Sequence, residues 1–124
     1  MDDGLATRLR TAFNARDIDT VRSLLADGAT WGEDPNGESF CRNRNDIIRH
    51  LQQLLAEGIR ATIVETITGP RGIVALVEVE WPDPESAPPD RIRFAQVYVV
   101  NDDGLVSEIH GHDDMDSALA AVAH

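Results

Sequence analysis

The chain has 124 residues, a length that supports one domain with one real core. With 42% hydrophobic and 27% charged residues it reads as soluble and globular, neither disordered nor membrane-embedded. A net charge of −11 argues against nucleic acid, whose binding draws on clustered basic residues, and disfavours anionic membranes.

Leu5, Leu9, Ala12 and Phe13 recur at helical spacing and predict a first helix over residues 4–15. Asp17 is a cap for a second, with Ile18, Val21, Leu24 and Leu25 on one face and Gly28 as its stop. A short strand is expected at 29–34, running into TWGEDPNG (30–37), where Asp34 precedes Pro35 and is pushed toward extended backbone. Asn43 caps a third helix, 44–57, which turns Ile47, Ile48, Leu51, Leu54 and Leu55 inward and ends at Gly58. The period then drops to two, and strands are expected at 59–68, 73–81, 91–101 and 105–113. GPRG (69–72) and NDDG (101–104) read as tight hairpin turns, and PDPESAPPD (82–90) as a longer solvated loop. Asp114 or Asp116 caps a closing helix, MDSALAAVA.

Helices followed by an antiparallel meander make an α+β order, with no internal repeat and residues 1–124 forming one domain. Along 91–101, Ile92, Phe94, Gln96, Tyr98 and Val100 share one face, while Ala95, Val97 and Val99 share the other. Both faces are apolar, so both need cover. Helices serve for the first; for the second, a homodimer contact through Ala95, Val97, Val99, Val74 and Leu76 is expected.

The chemical inventory is narrow. All 11 basic residues are arginine, which removes Schiff-base chemistry and the lysine-dependent phosphate loop, and neither GxGxxG nor GxSxG occurs. No apolar run approaches the roughly 18 residues of a membrane span, and MDDGLATRLR is too polar for a signal peptide. Cys41 is alone, so neither an internal disulfide nor a cysteine zinc site is expected, and a cytoplasmic location fits.

Three stretches, FNARDIDTVRSLLADGATWGEDPNG (13–37), CRNRNDIIRHLQQL (41–54) and NDDGLVSEIHGHDDMDSALAAV (101–122), resemble the nuclear-transport-factor-2-like superfamily. That group includes ketosteroid isomerases, SnoaL-like polyketide cyclases, scytalone dehydratases and limonene-epoxide hydrolases. The similarity covers nearly the whole chain. It implies a cone-shaped α+β barrel of the cystatin-like kind, a curved antiparallel sheet wrapped around helices, usually as a homodimer. The isomerases hold their catalytic base in an Asp-Pro-x-Gly stretch at the end of the first strand. Asp34-Pro35-Asn36-Gly37 matches it, with Glu33 a rival for the position. The resemblance also places His50 where the isomerases have a pocket-lining aromatic, Leu9 at their oxyanion-hole tyrosine, and Gln96 at their protonated aspartate. The epoxide hydrolases' catalytic Asp falls at Gly111, and VEVEW (77–81) lacks their Arg-x-Asp pairing, so that activity is excluded.

On this reading Trp31, Trp81, Phe94 and Tyr98 surround Asp34 with apolar surface, which raises a carboxylate's pKa and suits it to proton transfer. His50 is the second acid or base, on the apolar helix face of Ile47, Leu51 and Leu54. Gln96 and Tyr98 would donate to a developing oxyanion; Gln96, a polar group on an apolar face, must find partners, and ligand recognition is favoured over a link to backbone or to Tyr98. Ile109 and Asp113 share the inward parity of the last strand and complete the expected pocket. His110 and His112 share the opposite parity with Glu108, and lacking an obvious third ligand they are not expected to hold a metal. Arg42 and Arg44 are placed near the pocket mouth, and Cys41 is read as a small hydrophobe. The expected function is cofactor-free proton transfer on a largely apolar carbonyl compound. The alternatives are a non-catalytic ligand-binding domain and a purely structural dimerisation module.

Overall fold

The computed structural model describes residues 3–32, 40–83, 85, 93–112 and 114–123. Its elements, in chain order, are α1 (Asp3–Asn14), α2 (Ile18–Leu24), β1 (Leu25–Trp31), α3 (Arg44–Ala56), β2 (Arg60–Thr68), β3 (Gly72–Glu80), β4 (Arg93–Val100), β5 (Val106–His112) and α4 (Met115–Val122).

Three of the four helices begin where a side chain satisfies otherwise orphaned amides. Asp17 accepts from the Thr20 amide, Asn43 from that of Asp46 and Asp114 from that of Ser117. Asp114, rather than Asp116, is therefore the cap of α4. Gly58, at φ +82°, ends α3 in the left-handed conformation that glycine adopts freely. Asn101 closes the β4–β5 turn by accepting from the amides of Asp103 and Leu105.

The strands form one open sheet in the order β1-β5-β4-β3-β2. β2 to β5 run antiparallel, whereas β1 lies parallel to β5, so the sheet is mixed rather than antiparallel and does not close into a barrel. Register shifts at Leu25/Thr30, Ile63/Glu65 and Val99/Val100 are bulge-like irregularities that bend strands and curve the sheet. The first strand also starts earlier than its sequence suggests. Gly28 does not stop α2; the helix ends at Leu24, and Gly28 lies inside β1. Pairing with β5 outweighs glycine's weak strand propensity there.

α1 packs on β2 and α3 on β1, covering the inner face of the sheet with a core that includes Leu9, Leu25, Ile47, Ile63 and Tyr98. The Asn14 carboxamide fastens the end of α1, donating to Ile63 O at 3.0 Å and accepting from the Ile63 amide at 2.8 Å.

The outer face departs from expectation. Val74, Ala95 and Val97 do share it, but α4 lies across them, and with Ala118 and Val122 they form a second core. Three residues of the patch on which a homodimer was expected are thus buried within a single chain, and Leu76 and Val99 stay half-buried. A short amphipathic helix needs an apolar partner as much as the strand face does, and the chain's own C-terminal segment reaches it.

Candidate functional site

Curvature leaves a cavity of about 180 Å³ between the inner sheet face, the α1–α2 corner and α3. Its wall is mainly apolar: Phe13, Ile18 and Val21 come from the first two helices, Leu51, Leu54 and Leu55 from α3, Val77, Val79 and Phe94 from the sheet. Trp31, at the end of β1, and Trp81, just past β3, line it as well. Of the expected pocket residues, Trp31, His50, Trp81, Phe94 and Gln96 meet at this cavity. Ile109 and Tyr98 lie deeper, around a small void that shares Trp31, Leu51 and Gln96 with it. Glu33, Asp34, Ile92 and Asp113 lie outside the described residues.

Gln96 is the polar group of the buried end. It sits opposite Gly111 on β5 and Ala75 on β3, with only 3% of its surface exposed. Its carboxamide oxygen accepts a hydrogen bond from the Tyr98 hydroxyl. Tyr98 is itself 2% exposed, and burial pushes its phenol far above the usual range, so the hydroxyl stays protonated and donates. That bond fixes the orientation of the amide: the oxygen faces Tyr98, and the Nε2 hydrogens are left as donors. Tyr98 therefore holds Gln96 in place, and its hydroxyl is not a second donor into the cavity.

His50 comes from the middle of α3 and stands edge-on to Trp31, with ring centroids 5.0 Å apart and planes at 86°. It makes no hydrogen bond among the described residues. Burial lowers its pKa from the ordinary 6.5, against a smaller opposing pull from Glu57, so the ring is neutral at physiological pH. A neutral imidazole offers one lone pair and one N–H to whatever fills the cavity.

The backbone at the end of β1 is firmly placed. Trp31 and Cys41 exchange a pair of amide–carbonyl bonds at 3.0 and 2.9 Å, bracketing the segment that contains Asp34. Cys41 is buried, and desolvation raises its thiol pKa, which agrees with a small hydrophobe. Arg42 and Arg44 do not line the cavity: Arg44 pairs with Asp27 at 2.9 Å, and Arg42 lies over the Phe40 ring. Position along the chain, at the entry to α3, does not decide where long side chains find partners.

Arg16 is a wall residue that sequence reasoning missed. No spacing marks it; only the sharp α1–α2 corner turns it toward the cavity. Ile18 and Val21 read from the sequence as core, and the cavity is a property of how that core fails to fill.

His110 and His112 lie on the outer face, as strand parity predicts, opposite Val97 and Ala95. Their rings meet at 2.8 Å (Nδ1 to Nε2), and His112 reaches Ser117 Oγ at 3.1 Å, tying β5 to the first turn of α4. Among the described residues no three His, Cys, Asp or Glu side chains gather in a metal-binding cluster. Nor is any described helix long and apolar enough to cross a membrane.

The family model for the SnoaL-like domain matches residues 6–109. Solved structures share the fold at low identity. A candidate polyketide cyclase from Sinorhizobium meliloti is 14% identical, with 90% of this chain and 95% of that one aligned at a TM-score of 0.68. A candidate ketosteroid isomerase from Kribbella flavida is 23% identical over 87% of this chain and 73% of its own, at a TM-score of 0.63. A Mycobacterium tuberculosis protein, solved in complex with estradiol-17β-hemisuccinate, is 18% identical over 90% and 92%, also at 0.63. No curated protein matches the sequence.

Proposed function

Because the chain belongs to the SnoaL-like domain family, within the nuclear-transport-factor-2-like superfamily, we propose that it is a small-molecule enzyme of the isomerase, cyclase or dehydratase type. It would act by proton transfer on an apolar carbonyl compound. The observation that carries this reading is the make-up of the cavity: an aromatic and aliphatic wall interrupted at its buried end by a hydrogen-bond donor held by Tyr98. The Gln96 Nε2 hydrogens suit a ligand carbonyl oxygen. When a base removes the proton α to that carbonyl, the electron pair moves onto the oxygen, and Gln96 would stabilise the charge formed there. Asp34 is the proposed base, with Glu33 its rival, and His50 would return or relay the proton. A neutral amide is a weaker donor than a protonated acid, so the site suits relatively acidic carbon acids.

The competing reading is a non-catalytic binding domain. It is favoured by the described wall, whose acid–base candidate is a neutral histidine and whose described lining residues include no carboxylate. A homodimer belongs to the enzyme proposal, with its contact moved to the half-buried Leu76, Val99, Met115 and Leu119 around α4.

The test uses 2-tetralone in D2O. Trp31 and Trp81 report binding by fluorescence, and NMR follows exchange of the α-protons. The enzyme reading expects catalysed exchange that falls about 100-fold or more in Asp34→Asn while affinity holds. Glu33→Gln should do little; if it is the damaging change, the base is Glu33. If the ketone binds and neither substitution alters exchange, the binding-domain reading takes over.

A further inference from the structure

Arg16 joins α1 to the cap of α2 with φ +60°, a left-handed conformation that glycine adopts more readily than any branched or long side chain. Its Nη1 donates to Phe13 O at 3.1 Å and to Asn14 O at 2.9 Å, satisfying carbonyls at the end of α1. Those two bonds occupy one nitrogen. Nε and Nη2, which together form the forked edge of the guanidinium, donate to no described residue. No described carboxylate pairs with the group either: adjacent Asp17 is turned to the Thr20 amide and hydroxyl. The corner is also rigid, because Asn14 is bonded to Ile63 on both sides. A helix-capping arginine needs no cavity, yet this one lines the cavity wall.

The polar groups of the cavity wall differ in exposure. Gln96 is 3% exposed, whereas Arg16 is half-buried, on a wall that also includes Leu55, 36% exposed. Taking the cavity as a ligand site, as proposed above, we infer that its ligand is an apolar molecule bearing a carboxylate, which the free fork of Arg16 receives while the apolar body extends toward Gln96. A planar fork with two parallel N–H groups matches the two oxygens of a carboxylate. The net charge of −11 does little to oppose an anion at this site, since charges more than about 8 Å away are largely screened at physiological salt. At contact the unpaired arginine decides. It also sets the direction of entry, carboxylate last, so that the carbonyl of a keto acid would arrive at the amide.

The experiment compares 2-naphthylacetate with its methyl ester, which share an apolar body and differ in charge, by tryptophan fluorescence titration. The wild-type protein is expected to bind the acid about tenfold or more tighter than the ester, with the advantage shrinking as salt rises. Arg16→Gly suits the backbone at φ +60° and should bring the acid down to the affinity of the ester, whose own affinity moves less than about twofold. Arg16→Gln should do the same. Arg71→Gln, which removes a charge at the exposed β2–β3 turn, should leave the acid's advantage intact. Equal binding of both probes to the wild type would overturn the carboxylate inference and leave the ligand cavity standing. So would an Arg16→Gly protein that loses the ester as well, since Arg16 would then only be supporting the corner. If neither probe binds and neither does 2-tetralone, the ligand-site reading itself fails and takes the inference with it.

Discussion

Replacing Tyr98 with Phe removes one hydroxyl and nothing else from the deepest part of the inner core. The oxygen it serves, Gln96 Oε1, belongs to a residue 3% exposed, and Tyr98 itself is 2% exposed. Water has no ready access there, so Tyr98→Phe leaves a buried carbonyl unpaired, at a cost of about 1–3 kcal/mol. For a chain of this size that corresponds to a fall in Tm of about 3–12 °C. The amide also loses the bond that orients it, so affinity for a carbonyl ligand should drop several-fold even where the protein stays folded. A double-mutant cycle separates the two effects. Gln96→Met in the Tyr98→Phe background removes the orphaned carbonyl, and replacing both partners by apolar groups of similar shape is close to neutral. The double mutant should therefore melt higher than Tyr98→Phe alone, while carbonyl binding stays weak. Thermal melts and 2-tetralone titrations supply both readouts. A Tyr98→Phe protein that melts within about 1 °C of wild type would show that the bond does not hold Gln96, and the assignment of Nε2 as the donor would go with it.

Val97→Arg should unfold the protein rather than split a dimer, because Val97 is 0% exposed beneath α4; an unpaired buried charge costs more than about 4 kcal/mol, readable by circular dichroism. Gly72→Ala should be similarly harmful, since a Cβ at Gly72 collides with the Tyr98 carbonyl oxygen on the neighbouring strand, and backbone cannot yield as a side chain would. His50, with its folded pKa depressed, binds a proton less readily than in the unfolded chain. Its contribution to stability is present above pH 6.5, declines as pH falls through the window below 6.5, and levels off once the folded form is protonated too; melts of His50→Gln against pH should lack that decline. Ligand affinity should survive EDTA treatment, because His110 and His112 face away from the cavity; loss of binding together with a stoichiometric metal would contradict this.

The sequence by itself determined the local events. Asp17, Asn43 and Asp114 cap their helices because a short polar side chain meets the free amides three residues on, an interaction that needs nothing distant. Period-two alternation separates Phe94, Gln96 and Tyr98 from Ala95 and Val97 for the same reason: parity is a property of the extended backbone. Tertiary structure decided what lies opposite each face. Residues 25–28 look like the tail of a helix until β5 offers a parallel partner, and the outer patch looks like a dimer surface until α4 folds across it. Tyr98 and Gln96 were legible as neighbours on one face, with a bond between them as the alternative to ligand recognition; only the packed structure commits the hydroxyl to the amide. Arg16 was not legible at all. Its place on the cavity wall depends on a left-handed corner and on two helix carbonyls that hold one nitrogen of its guanidinium, and neither leaves a pattern in the order of the residues.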